Sequence, residues 1–190
     1  NSVQIGPGKS QTFSFTVIAE GFDGYYYPTF SLGFRDADSL YAREKVQIDN
    51  RIPPDFTVRA VSGKLMQVFV NLIQNSLDAL RTKVFPPETG PVIRIEARVK
   101  GRVKTVVIWD NGPGVPAHHL PKVFDPFFTT KEVGKGTGLG LSICFRLLEE
   151  VGARIALKSE ENHYCEFSLD FPADAEEVEA QSHTITTAVA

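Results

Sequence analysis

Cysteine is scarce: the chain has two in 190 residues, Cys144 and Cys165. That argues against a disulfide-stapled secreted scaffold. The four histidines show no metal-ligand spacing with them. Cys144 falls in a helical pattern and Cys165 in a strand pattern, so both read as buried, reduced thiols. No apolar run approaches the roughly 20 residues a membrane span needs. Neither sign of charge dominates, since 20 Lys and Arg face 23 Asp and Glu for a net charge of -3. This gives no basis for a nucleic-acid partner or for membrane contact. Hydrophobic residues make up 42% of the chain, which supports a packed core and is not the profile of a disordered one. The chain starts at Asn1, so a fragment of a longer protein is expected. A cytoplasmic location is expected, with any membrane anchor left to the parent protein.

Three regions differ in texture. Residues 1–44 read as a β-rich segment of unassigned role, with polar–apolar alternation over 12–17, a turn at 21–24 and an aromatic-rich strand over 25–34. Residues 45–172 mix strands and helices. Strands are expected at 46–50, 56–61, 92–99 and 103–109, with a closing hairpin at 153–159 and 165–171. A long helix follows Ser62 as its cap, with Leu65, Phe69, Leu72, Ile73, Leu77 and Leu80 as its buried stripe. A second helix is expected over 138–151, after a long irregular stretch at 111–137. Residues 173–190 are acidic, then rich in Thr and Ala, and read as a flexible tail.

Chemistry concentrates in four places. Gly134, Gly136, Gly138 and Gly140 occupy alternate positions and run into a helical pattern. Bare backbone N–H groups at a helix N-terminus make a seat for an anion, and phosphate fits best. On the long helix, Gln67, Asn71, Asn75 and Asp78 lie on one face. A solvated face would explain them, but so would a polar wall whose amide oxygens ligate a hard cation such as Mg2+. Asp110-Asn111-Gly112-Pro113-Gly114 follows a strand; alone it is most simply a turn. An Asp at the end of a buried strand also suits an exocyclic amine, which adenine offers. Phe124-Asp125-Pro126-Phe127-Phe128-Thr129-Thr130-Lys131 reads either as core or as a lid, with Lys131 or Lys135 within reach of phosphate. The run at 6–10, GPGKS, mimics a P-loop but has Val3 where that motif needs its first Gly.

The ordered set NLIQNSLDA, DNGPG, FDPFFTTK and GKGTGLGLSI resembles the N, G1, F and G2 boxes of the ATP-binding catalytic domain of bacterial sensor histidine kinases. The wording is most similar to kinases of the nitrogen-regulation sensor type. The wider superfamily includes gyrase, heat-shock-90 and mismatch-repair ATPases. The resemblance implies an α+β fold, a two-layer α/β sandwich with three helices on one face of a mixed β-sheet. It implies ATP and Mg2+ as cofactors. Asn75 would ligate Mg2+, with Asn71 supporting, and Asp110 would receive the adenine amino group. Gly112 and Gly114 would shape the base pocket, and Phe124, Phe127 and Phe128 would pack the lid. Lys131, Lys135 and the run Gly136, Thr137, Gly138, Leu139 and Gly140 would meet the phosphates.

Two positions refine this expectation. Hydrolysing members carry a Glu four residues before the metal-binding Asn, where this chain has Asn71. An amide cannot accept a proton at neutral pH, so phosphotransfer is favoured over hydrolysis. Sensor kinases also carry an upstream helical hairpin with a phospho-accepting His, and none is visible here. His118 and His119 fall in the lid, His163 in a hairpin turn and His183 in the tail. The acceptor hairpin is therefore expected on another segment or chain, with a response regulator receiver domain as the eventual recipient. The alternatives are a nucleotide-sensing module, an ATPase of the same superfamily, or a serine kinase resembling anti-sigma factors.

Overall fold

The computed structural model describes residues 2–4, 10–21, 24–26, 29–35, 46–86, 88–131 and 136–172. Its main sheet has six strands: β1 (Ser2–Gln4), β5 (Gln47–Arg51), β7 (Val92–Lys100), β8 (Val103–Asp110), β10 (Tyr164–Pro172) and β9 (Arg154–Glu160), in that spatial order. β5 and β7 run parallel and every other pair is antiparallel, so the sheet is mixed. The remaining strands, β2 (Ser10–Gly21), β3 (Gly24–Tyr26), β4 (Thr29–Arg35) and β6 (Thr57–Arg59), form a second sheet around β2. β3 and β4 both pair antiparallel with β2, and β6 pairs parallel with it. The described residues of the N-terminal segment are thus strands, as the alternation over 12–17 implies. They also contribute β1 to the main sheet.

Strand alternation sets the two faces of that sheet. Cys165, Phe167, Leu169 and Phe171 of β10 are buried on one side, in register with Asp110, Ile108, Val106 and Lys104 of β8. β7 adds Ile93 and Ile95 to the same side. The opposite side carries charge. Asp49, Arg94, Trp109, Glu166 and Lys158 lie in one cross-strand row. Arg94 binds Asp49 at 2.9 Å and stacks over the Trp109 ring at 4.8 Å.

Two helices cover the apolar face. α1 (Ser62–Leu80) buries Leu65, Val68, Phe69, Leu72, Ile73, Ser76 and Leu80, a stripe at helical spacing. α2 (Gly140–Glu149) buries Ser142, Cys144 and Leu148. The helices run antiparallel: Lys64 pairs with Glu150 at one end, and Asn71 Nδ2 reaches the Gly140 carbonyl at 3.5 Å at the other. Among the described residues no helix is long and apolar enough to cross a membrane.

The structure departs from the sequence expectation in several details. Ser62 is the first helical residue, and Val61 holds the N-cap in extended conformation with no side-chain hydrogen bond. Val68 is fully buried and Leu77 only partly so. α2 starts at Gly140 rather than 138, because Gly138 has φ +66° and cannot join a right-handed helix. Where three helices were expected, the described residues hold two and a single 3-10 turn at Leu120–Lys122. Pro113, Pro116, Pro121 and Pro126 recur through that stretch, and each removes a helix donor. The expected tail at 173–190 lies outside the described residues.

Candidate functional site

α1 is the rail along which the site is assembled. At its N-terminal half, Asn71 faces the start of α2. One turn on, Asn75 and Asp78 share a cation: Lys131 Nζ lies 2.7 Å from Asp78 Oδ2 and 3.4 Å from Asn75 Oδ1. Asp78 Oδ1 also accepts from Gln74 Nε2 at 2.9 Å and from Arg81 at 3.0 Å. Ser76, on the inner side, donates to Asp110 Oδ2 at 2.7 Å. Just past the helix, Lys83 Nζ reaches the carbonyls of Asn111 at 2.8 Å and Gly112 at 3.0 Å.

Asp110 ends β8 on the inner face, between Ile93 and Cys165. It is 1% exposed, and its Oδ1 accepts the Gly112 N–H at 3.0 Å. Burial pushes its carboxyl up to about 6, against the opposing pull of Ser76, the Gly112 N–H and the Lys83 charge. The same burial, together with the Asp110 charge, raises the thiol of Cys165.

The loop after Asp110 is fixed from both sides. Asn111 Oδ1 accepts from Val92 N at 2.7 Å, and its Nδ2 donates to the Gly90 carbonyl at 3.0 Å. Val115 N donates to Ser159 Oγ at 2.7 Å, and Asn162 N to the Pro113 carbonyl at 2.6 Å. Gly114 has φ +66°, and a Cβ there would strike the Glu160 carbonyl, so glycine is required for this approach.

The segment expected as core or lid divides into packed and open parts. Val123 is buried, Phe124 meets Phe145 of α2 with ring centroids 5.9 Å apart, and Phe128 meets His119 edge-on at 5.4 Å. Phe127 does not pack: it has φ +67° and is 74% exposed. Its carbonyl instead lies where a Cβ on Gly138 would sit. A side chain at Gly136 would run into Thr129 and Lys131. Thr137 Oγ1 accepts from Leu139 N at 3.4 Å. Leu139 is the N-cap of α2 and makes no side-chain cap bond. Lys135 and Gly134 lie outside the described residues, as does His183. His118 and His119 precede the 3-10 turn, and His163 sits in the β9–β10 turn.

The structure therefore brings Asn71, Asn75, Lys131, Asp110, Gly112 and Gly140 around one helix. Ser76 and Lys83 were not foreseen. Lys83 belongs to no motif, and Ser76, though inside NLIQNSLDA, lies beneath the polar stripe rather than on it.

The chain matches the family described as histidine kinase-, DNA gyrase B- and HSP90-like ATPase over residues 60–175. The sensory histidine kinase/phosphatase NtrB of Rhizobium leguminosarum bv. phaseoli is 34% identical over 164 residues, covering 80% of this chain and 42% of that protein. The sensor kinase CckA of Brucella abortus (strain 2308) is 37% identical over 131 residues, covering 65% of this chain and 14% of that protein. The chain thus spans less than half the length of either relative. Among solved structures, the catalytic domain of the histidine kinase ThkA is similar at a TM-score of 0.53 and 34% identity, covering 66% of this chain and 78% of that one. Full-length ShkA in complex with AMPPNP is similar at a TM-score of 0.55 and 26% identity, covering 68% of this chain and 26% of that one. With its ordered motifs gathered along α1 and its fold shared with kinase catalytic domains, the chain belongs to the histidine kinase-, DNA gyrase B- and HSP90-like ATPase family.

Proposed function

We propose that residues 45–172 are the Mg·ATP-binding catalytic domain of a sensor histidine kinase, flanked by the β-rich segment 1–44 and the tail 173–190. Its reaction is transfer of the γ-phosphoryl group to a histidine outside this chain. A bond forms between phosphorus and a histidine nitrogen, the bond from phosphorus to the β–γ bridging oxygen breaks, and ADP leaves. The phospho-accepting hairpin, on another segment or chain, is the immediate partner. A response regulator receiver domain takes the phosphoryl group afterwards.

The observation that carries this reading is Asp110. It is a buried carboxylate held by two donors, Ser76 Oγ and the Gly112 N–H, at the mouth of a glycine-shaped loop. Such a group suits the exocyclic amine of adenine, whereas guanine presents a carbonyl there. ShkA, of similar fold, binds AMPPNP. Lys131, Lys135 and the run from Gly136 to Gly140 take the phosphates, helped by the partial positive charge at the N-terminus of α2. Asn75 fits a hard cation, because its Oδ1 already faces the Lys131 ammonium at 3.4 Å. Asn75 would hold Mg2+, with Asn71 behind it, and the metal when bound neutralises phosphate charge. What remains for this chain is positioning, which suits in-line phosphoryl transfer. Asn71 supplies no proton acceptor for water, which disfavours hydrolysis.

The test is incubation with labelled ATP and a separately supplied acceptor hairpin. An acid-labile, base-stable phosphoprotein supports the reading. Steady phosphate release without acceptor supports an ATPase, and binding with neither outcome supports a sensing module. Asn75→Ala should remove the Mg2+-dependent part of ATP affinity; a variant equally responsive to chelation would rule Asn75 out.

A further inference from the structure

We infer that Lys83 is a positioning residue for the nucleobase end of the site, acting on Asp110 through the Asn111–Gly112 peptide; the inference rests on the ATP reading above. Lys83 lies in the turn after α1, where no motif marks it. Its Nζ meets three carbonyl oxygens: Asn111 at 2.8 Å, Gly112 at 3.0 Å and Asn162 at 2.9 Å. An ammonium has three N–H donors, so every one is used. Lys83 is therefore not a spare phosphate-binding cation.

The geometry of one peptide unit gives the role. A trans peptide points its carbonyl and its N–H in opposite directions, and no cis bond occurs among the described residues. In the Asn111–Gly112 peptide the carbonyl accepts from Lys83 Nζ, while the N–H donates to Asp110 Oδ1 at 3.0 Å. The unit is gripped at both ends, and a flip would break both bonds together. With Oδ1 held this way and Oδ2 held by Ser76, the remaining lone pairs of Asp110 point in fixed directions. The third carbonyl, Asn162, ties the β9–β10 turn to the same ammonium, and Asn162 N closes the strap on Pro113.

Charge adds a second effect. The titratable groups beside Asp110 are Lys83, from the turn after α1, and Cys165, from β10. Ser76 of α1 is its neutral donor. Lys83 opposes the rise in the Asp110 pKa that burial causes, so it helps keep the carboxyl ionised and able to accept.

The experiment is calorimetric titration of the whole chain with Mg·ATP and Mg·ADP, across the pH range in which a carboxyl near 6 titrates. Lys83→Met should weaken both nucleotides by the same factor, roughly tenfold, because they share the base. The acid limb of affinity should also move to higher pH. Unchanged affinity, or lost thermal stability with the acid limb in place, overturns the inference and leaves Lys83 a plain loop staple. If Lys83→Met does not fold, Lys83→Gln, which loses the charge but keeps polar reach, is judged by the same two outcomes. Wild-type protein that binds no ATP sinks the ATP reading and this inference together. Wild-type binding with an unaffected Lys83 variant sinks this inference alone.

Discussion

Lys131 and Asp78 meet across the site, with the lid ammonium 2.7 Å from the helix carboxylate and 3.4 Å from Asn75 Oδ1. Lys131 thus sits against α1. On the proposed reading, in which Lys131 meets the phosphates, an incoming triphosphate competes with Asp78 for it. A partly exposed ion pair is worth at most about 1 kcal/mol, which is about fivefold in affinity. Asp78→Asn should therefore tighten Mg·ATP binding by up to about that factor, and Lys131→Met should weaken it. Titrations at low and high salt check this. An Asp78→Asn variant that binds ATP more weakly would mean that Asp78 serves the bound state instead.

Asp110 should trade stability for binding. Its folded value of about 6 stands above the ordinary 3.8, so between those pH values the folded chain holds a proton that the unfolded chain has lost. The cost of the buried charge is fully present above about pH 6 and is relieved as pH falls toward 3.8. The gap corresponds to about 3 kcal/mol. Asp110→Asn should raise the melting temperature of the nucleotide-free chain at neutral pH. That advantage should shrink in mild acid, while ATP affinity drops about ten- to a hundredfold. Melting curves at two pH values, set beside calorimetry, read out both effects. Equal melting of the two proteins at neutral pH would contradict the buried-charge account.

Gly138→Ala should damage the lid and spare the core. The residue has φ +66°, and a Cβ would collide with the Phe127 carbonyl. The left-handed conformation alone costs an ordinary residue about 1–2 kcal/mol. ATP affinity should fall by about tenfold or more. The melting temperature should barely move, since the atoms nearest such a Cβ all belong to the Phe127 backbone, outside the core cluster. A large loss of thermal stability with intact binding would reverse this assignment.

Neither cysteine should react in the native chain. Cys144 is fully buried, with its thiol pushed up to about 11, and burial raises Cys165 further. A thiol-specific chromogenic reagent at mildly alkaline pH should report no modification until denaturant is added, then two thiols per chain. Rapid labelling of the native chain would show that one of these sites opens.

Much of this architecture was legible because it depends on periodicity. The alternation along β7 and β10 marks their inner faces, and the Leu65 to Leu80 spacing marks the buried side of α1. Asp110, Lys131 and Gly140, one from each of the other three motif segments, contact α1. What was not legible depends on long-range contact or on one dihedral angle. Ser62 has the chemistry of a cap, yet the helix takes it as its first residue and leaves Val61 outside. Phe127 reads like its neighbours Phe124 and Phe128, but its positive φ turns it out to solvent. Lys83 sits 28 residues before Asn111 and 79 before Asn162, so no local pattern can announce their meeting.

That last distance gives the β9–β10 turn a weight its surface position hides. A residue inserted between Glu161 and His163 would leave β9 and β10 paired, since their register begins at Glu160 and Tyr164. It would nonetheless carry the Asn162 carbonyl away from the lysine and loosen the strap on Pro113. The span of this hairpin tip, more than its side chains, works as a gauge for how closely the Asn111–Gly114 loop is drawn against the end of α1.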